Sequence, residues 1–219
     1  MTISSASDKP LIAVLDYGIG NLRSAQKGLQ FVGADARLTS DLKLIADADA
    51  VVLPGVGNFG ACMTALRQAG LEASVYDAIA TTRPFLGICV GMQMLFESSE
   101  ESPGVSGLGV IAGEICWLPA DVQKPQMQWN QLQIIKQDEL FAGVSENPWM
   151  YFVHSLSAVP REHSVVVATC SYGTDLVAAI RSQNIFATQF HPEKSATEGL
   201  KILENFVATC GAKRVITKV

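Results

Sequence analysis

At 219 residues the chain is long enough for one α/β domain that buries on the order of 70% of the surface its unfolded form exposes. Its net charge of −5 comes with no basic stripe and no run of like charges, which argues against nucleic acid and anionic membrane as direct partners. The five cysteines, Cys62, Cys89, Cys116, Cys170 and Cys210, are odd in number, scattered and never spaced as Cys-x-x-Cys, so we expect no disulfide framework, no zinc cluster and a reducing, cytoplasmic setting.

Residues 1–10 are polar and lack the basic and apolar regions of an export signal; they read as a disordered lead-in to a single domain over 11–212, with 213–219 as a tail. No apolar stretch is long enough to span a bilayer. The continuous apolar run 11–15 predicts a strand buried on both faces of a parallel sheet. Asp16-Tyr17-Gly18-Ile19-Gly20-Asn21 then turns into a helix with Leu22, Ala25, Leu29 and Val32 at helical spacing; Gly18 and Gly20 hint at a dinucleotide fingerprint, but Arg23 stands where its third glycine belongs.

Residues 34–39 predict a more polar second strand and 50–53 a third. The following Pro54-Gly55-Val56-Gly57-Asn58-Phe59-Gly60 does satisfy Gly-x-Gly-x-x-Gly, with Asp77 close to the interval of a ribose-binding acid. That fingerprint belongs at the first βα turn, with its acid at the end of the next strand, whereas Asp77 falls in a helical pattern over 71–79. A loop rich in exposed N–H groups beside a strand end can equally stabilise a developing oxyanion.

The stretch around which the chemistry gathers is Pro84-Phe85-Leu86-Gly87-Ile88-Cys89-Val90-Gly91-Met92-Gln93-Met94-Leu95-Phe96. An apolar run ends in Gly-x-Cys-x-Gly and a helix-favouring segment follows at once, which is the nucleophile-elbow pattern with sulfur in place of the serine oxygen. The glycines allow backbone to crowd a strained Cys89, and a helix continuing towards Glu97 would aim its N–H groups and positive dipole end at the sulfur. The competing reading is a buried structural cysteine.

Residues 98–109 read as a flexible loop. Residues 110–118 and 130–135, flanking 119–128, predict strands whose alternation suggests a half-exposed, antiparallel patch added to the parallel core; further strands are predicted at 149–155, 164–170 and 176–180. The last strand, 185–190, runs into His191-Pro192-Glu193. Residues two apart in extended backbone point the same way, so Glu193 can orient the imidazole that takes the Cys89 proton. The alternative is a surface imidazole and a solvated acid. Of the other histidines, His163 lies in a polar stretch and His154 follows an aromatic strand without an acid two residues on. Ser195-Ala196-Thr197-Glu198 offers a capping box for a final helix with Leu200, Leu203, Phe206 and Val207 inward.

Pro54-Gly55-Val56-Gly57, Gly87-Ile88-Cys89-Val90-Gly91-Met92-Gln93 and Gln189-Phe190-His191-Pro192-Glu193-Lys194-Ser195, in this order, resemble the class I, or triad-type, glutamine amidotransferases. The resemblance implies a flavodoxin-like three-layer α/β sandwich with a mostly parallel sheet. It implies a thioester mechanism in which Cys89 attacks glutamine, His191 protonates the departing ammonia and then activates water, and Glu193 holds His191. Val56 and Val90 N–H groups would receive the oxyanion, and Gly55, Gly57, Gln93, His154 and Ser155 match glutamine-contacting positions; neither cofactor nor metal is implied. Asp16-Tyr17-Gly18-Ile19-Gly20-Asn21-Leu22, Trp129-Asn130 and Tyr151-Phe152-Val153-His154-Ser155 are similar to the subgroup that passes ammonia to a (β/α)8 cyclase partner in histidine biosynthesis, extending the match over about 11–210.

On that likeness Asn21, Trp129 and Lys194 are partner-interface positions. Two departures stand out: Pro125-Gln126-Met127-Gln128-Trp129-Asn130 replaces the usual Pro-His-Met-Gly-Trp-Asn, and Leu156 replaces a tyrosine. These are expected at partner-facing or pocket-rim positions. Two other functions stay open: a stand-alone cysteine hydrolase of the γ-glutamyl hydrolase or peptidase kind, and a dinucleotide-binding protein using Gly55, Gly57 and Gly60.

Overall fold

The apolar runs become the inner strands of one eight-stranded sheet. The computed structural model describes residues 9–211, so the expected tail and most of the expected lead-in fall outside the described residues. In chain order the elements are β1 (Leu11–Leu15), α1 (Leu22–Phe31), β2 (Asp35–Thr39), α2 (Leu42–Asp47), β3 (Ala50–Gly55), α3 (Phe59–Gln68), α4 (Glu72–Ala80), β4 (Phe85–Cys89), α5 (Val90–Gln93) and β5 (Ser98–Ser99). There follow β6 (Gly113–Trp117), β7 (Gln126–Gln131), β8 (Gln133–Ile134), β9 (Trp149–His154), β10 (Leu156–Pro160), β11 (Val166–Tyr172), β12 (Thr174–Ser182), β13 (Ile185–Thr188) and α6 (Ala196–Gly211).

The main sheet has the order β2-β1-β3-β4-β13-β12-β11-β8. Its first five strands are parallel, and β12, β11 and β8 continue it antiparallel. Every residue of β3 and β4 is buried, which is what strands covered on both faces require. The covering helices pair up, α1 with α6 and α2 with α4. Antiparallel strands also build two smaller units: β10 and β6 pair in a three-stranded sheet with β5, and β7 and β9 form a two-stranded ribbon. Among the described residues no helix is long and apolar enough to cross a membrane.

Several expectations need correction. The helix after the elbow is one turn, not a run to Glu97. Leu95 and Phe96 N–H groups bond three residues back, and the carbonyls of residues 94–97 accept instead from N–H groups of residues 107–111. The expected long-helix dipole behind Cys89 is therefore absent, and the 98–109 loop is firmly tied: Glu101 accepts from Phe59 N–H at 2.7 Å and Ser102 Oγ from Gly60 N–H at 3.1 Å. The predicted strand 130–135 is two strands in different sheets, parted at buried Leu132, and β7 starts at Gln126 inside what looked like a connection. Strand β10 gave no signal of its own. The expected capping box does not form: Ser195 Oγ donates to His191 O and accepts from Tyr151 N–H, while Glu198 accepts from Ser145 N–H.

Glycine is needed where α5 crosses the end of β3. A Cβ on Gly91 would run into the Leu53 carbonyl, which is backbone and cannot swing away, and one on Gly87 would meet Gly91 O at 3.0 Å. Gly91→Ala is therefore expected to destabilise the fold by about 2 kcal/mol through overpacking, read as a lower urea midpoint, while Ala69→Gly at the exposed end of α3 shifts it little.

Candidate active site

Cys89 is the last residue of β4 and stands in register with Gly55 at the end of β3. Its φ of 55° and ψ of −113° are strained for a residue with a side chain, a cost on the order of 1–3 kcal/mol that the surrounding packing enforces. On the other side of β4, β13 pairs in parallel up to Thr188 opposite Ile88, so His191 leaves the sheet three residues later beside the sulfur. Its backbone is fixed at both ends: the N–H donates to Tyr151 O at 3.0 Å and the carbonyl accepts from Ser195 Oγ at 2.6 Å.

His191 Nδ1 lies 2.9 Å from Glu193 Oε1, and both side chains are 2% exposed. The two meet as expected, but not through extended backbone, because residues Pro192–Lys194 form a turn of 3-10 helix with proline at its start. Helix α1 backs this turn closely. Gly28 faces it, and a Cβ there would come within 3.2 Å of Glu193 Cβ and 2.9 Å of Leu203 Cδ1. Among the described residues His191 Nε2 has no hydrogen-bond partner. Burial by itself would push the His191 pKa down; interaction with the Cys89 sulfur and with Glu193 outweighs it and raises the pKa to about 9. Both interactions favour the protonated ring.

The sulfur has further neighbours. Gln189 Nε2 lies 3.8 Å from Cys89 Sγ, and Val153 O lies 4.0 Å from it. Gln93 Nε2 donates to Gln189 Oε1 at 3.0 Å and to Leu156 O at 3.4 Å. His154 is buried, its Nδ1 2.7 Å from Leu156 O and its Nε2 2.9 Å from the Gln126 carboxamide. Burial pushes its pKa down to about 4, so this second histidine stays neutral.

These groups surround a cavity of about 230 Å³, below the about 300–1,000 Å³ usual for drug-sized ligands and suited to a small molecule. Val56, Gly57, Val90, Gln93, His154 and Ser155, all expected site residues, line it together with Cys89 and His191. Gly55 does not. It packs behind the elbow, where a Cβ would meet Gly91 N at 2.7 Å and Tyr17 Oη at 3.0 Å. The glycine-rich loop is tied from two sides, Tyr17 Oη donating to Pro54 O at 2.6 Å and Cys62 Sγ to Val56 O at 3.3 Å. A larger hollow of about 340 Å³ at the amino ends of β4 and β13 contains Arg181 and Asn184 but no nucleophile beside a base.

Trp129 and Lys194 share one face through Tyr151, the indole edge-on to the phenol ring at 6.1 Å and Lys194 Nζ 5.9 Å from the same ring. Asn21 opens α1 and accepts from Ser24 Oγ. Gln126 is at neither of the expected positions, partner face or pocket rim: it is fully buried behind the cavity, whereas Gln128 is exposed and Leu156 lines the cavity wall. His163 is exposed. Asp77 sits exposed in α4, and the end of the next strand, where a dinucleotide fingerprint places its acid, is Cys89. Sequence reasoning missed Gln189, Glu101 and Val153; Gln189 carried a usable signal, being two residues before His191, just past the end of β13.

A family model described as "Glutamine amidotransferase class-I" matches residues 14–210. The chain belongs to the class-I glutamine amidotransferases. Its relatives include proteins named imidazole glycerol phosphate synthase subunit HisH. That of Geobacter metallireducens is 50% identical over 202 residues, covering 89% of this chain and 96% of the relative. That of Methanothermobacter thermautotrophicus is 49% identical over 197 residues, covering 90% and 98%. A solved structure described as a glutamine amidotransferase superposes with a TM-score of 0.70 at 22% identity, over 91% of this chain and 98% of that one, which is a likeness of fold. PurLQS from Thermotoga maritima gives 0.69 at 19% identity over 92% and 98%. Among the described residues of this class-I amidotransferase, no group of three or more His, Cys, Asp or Glu is placed to hold a metal ion.

The raised pKa of His191 has a sign that can be checked. Its stabilising contribution is complete below about pH 6.5, the unfolded value, and is lost as pH rises through about 9. Glu193→Gln removes one of the two interactions that raise it, so the His191 titration followed by NMR is expected to move to lower pH, and stability above neutrality to fall less steeply.

Proposed function

We propose that this chain is the glutaminase subunit of an imidazole glycerol phosphate synthase, with Cys89, His191 and Glu193 as its catalytic triad. The observation that carries this reading is the meeting, at one small cavity, of a strained cysteine and a histidine anchored by a buried carboxylate. The names of the relatives near 50% identity support the particular synthase.

In the proposed reaction the Cys89 thiolate attacks the side-chain amide carbon of glutamine, and the amide oxygen takes up the negative charge. The N–H of Val90, at the start of α5, and that of Val56, after the glycine-rich loop turns, donate to this oxyanion. His191 gives its proton to the amide nitrogen, the C–N bond breaks, and ammonia leaves a thioester on Cys89. The now neutral His191 takes a proton from water; the hydroxide adds to the thioester and the C–S bond breaks. Glutamate and the ion pair of thiolate and imidazolium result. Glu193 keeps Nδ1 protonated and the ring oriented throughout. Gln189 steadies the sulfur and Gln93 holds Gln189.

Free ammonia at neutral pH is mostly protonated and no longer nucleophilic, so it must reach its acceptor shielded from water. The surface suited to a partner is the outer face of the β7–β9 ribbon, where Met127 is 65%, Trp129 44% and Trp149 53% exposed. The ribbon also supplies Val153 and His154 to the cavity wall. A (β/α)8 cyclase docked there would cover both the apolar ribbon and the cavity mouth, giving a heterodimer in which ammonia is channelled.

Cys89→Ala is expected to abolish glutamine hydrolysis while glutamine binding by calorimetry persists, and His191→Asn to lower kcat by about 10²–10⁴-fold. The assembly is tested by measuring glutamine hydrolysis with and without the cyclase and its ligand. A large rise on addition is the expected result. Equal, substantial rates in both conditions would replace this reading with the stand-alone cysteine hydrolase, and nicotinamide-cofactor binding indifferent to Cys89→Ala would revive the dinucleotide one.

A further inference from the structure

Buried behind the cavity is a polar pair whose hydrogen bonds balance in only one way. Gln126 on β7 stands directly opposite His154 on β9, the first fully buried and the second 6% exposed. The Leu156 carbonyl 2.7 Å from His154 Nδ1 can only accept, so Nδ1 carries a proton. Burial disfavours a second proton on this ring, and the nearby His191 imidazolium disfavours it further. His154 Nε2 is then a lone pair needing a donor. With Gln126 Oε1 turned to it at 2.9 Å, two acceptors face each other and Gln126 Nε2 has no partner. A buried orphan of this kind costs on the order of 1–3 kcal/mol.

A half-turn of the carboxamide removes both faults, because its two ends are interchangeable in shape. Gln126 Nε2 then donates to His154, and Oε1 faces the Cys170 thiol on β11. With Nε2 turned its way the carboxamide lowers the Cys170 pKa, but burial raises it more, so the thiol is protonated and can donate to Oε1 once the carboxamide is turned. We infer that Gln126 is a positioning residue for the substrate cavity: oriented between the Cys170 thiol and His154, it fixes His154 as a neutral ring protonated on Nδ1.

What this does for the site follows from the rest of the network. Leu156 O accepts from both His154 Nδ1 and Gln93 Nε2, and Gln93 holds Gln189 against Cys89 Sγ. The ionisable groups facing His154 are His191 after β13, Cys89 at the end of β4, Glu101 at the cavity rim and, through Gln126, Cys170. A charged His154 would repel the His191 imidazolium and put a second positive charge beside the sulfur. It would also compete for the negative charge that develops on substrate. Only this kinetic consequence rests on the glutaminase reading; the state of the ring does not.

The test is an imidazole ¹H–¹⁵N correlation spectrum of the full chain between about pH 5 and about pH 9, with His154 assigned by comparison with His154→Asn. The expected result is a neutral, Nδ1-protonated His154 across the whole range. In Gln126→Glu a carboxylate cannot donate to Nε2, so the ring is expected to gain a proton and titrate near or above neutrality, and the KM for glutamine to rise about tenfold or more. An Nε2-protonated His154 in the natural chain, or one titrating between about pH 6 and about pH 7, overturns the inference whether or not any variant folds. So does a Gln126→Glu spectrum indistinguishable from the natural one. A glutaminase-inactive natural chain with the expected spectrum would instead count against the proposed function alone.

Discussion

The site depends on parallel pairing. β4 is hydrogen-bonded to β3 on one side and β13 on the other, all running the same way, so their carboxyl ends finish at one level. That places the glycine-rich loop, Cys89 and His191 within a few ångströms, although about a hundred residues separate the last two along the chain. The register is well specified, because a slip of one residue would turn every side chain of a fully buried strand to the opposite face. It puts Ile88 opposite Thr188, after which Gln189 and His191 follow at the spacing that lets both approach the sulfur. The antiparallel addition of β12, β11 and β8 is what keeps β13 from being an exposed edge.

Burial and charge then work against each other at His191, and charge prevails. An imidazole 1% exposed would ordinarily be neutral at pH 7, as His154 in the same cavity is. The difference is in the neighbours: His191 has a carboxylate on Nδ1 and a sulfur beside it, whereas His154 has a carbonyl and a carboxamide. Two histidines lining one cavity are therefore pushed in opposite directions, one toward the protonated ring and the other toward the neutral one.

The parallel core was legible because buried strands are short apolar runs, and 11–15, 50–53 and the approach to Cys89 are such runs. The sharp turn at Cys89 could be read from its flanking glycines, which the structure uses where α5 crosses Leu53. The limited length of α5 could not, since Met94, Leu95 and Phe96 suit a helix; what ends it is a loop more than ten residues on, whose N–H groups take their carbonyls. Strands β7 and β8 were misread for a related reason. Leu132 breaks no local pattern, yet the chain changes sheet there. Gln126 was expected at a partner face or pocket rim because it departs from the family pattern, and only the pairing with His154 shows it to be interior.

Within the site the parts differ in freedom. Cys89 is enclosed by strand pairing and by glycines with no room to spare, and His191 is held through backbone, carboxylate and Ser195. The glycine-rich loop is anchored before Val56 by the Tyr17 hydroxyl on Pro54 O and after Asn58 by Glu101 and Ser102 on the Phe59 and Gly60 N–H groups, whereas at Val56 the tie is the Cys62 thiol on its carbonyl, and Gly57 follows at a φ of 85°. A thiol is a weak donor, so the tie at Val56 is the weakest of these. Under the proposed function a partner that raises the rate therefore acts most simply on this loop, presenting the Val56 N–H, and not on a triad already assembled. The Tyr17 tie comes from the same turn that carries Asn21 at the start of α1, so a surface contact at Asn21 lies one hydrogen bond from the loop that must turn.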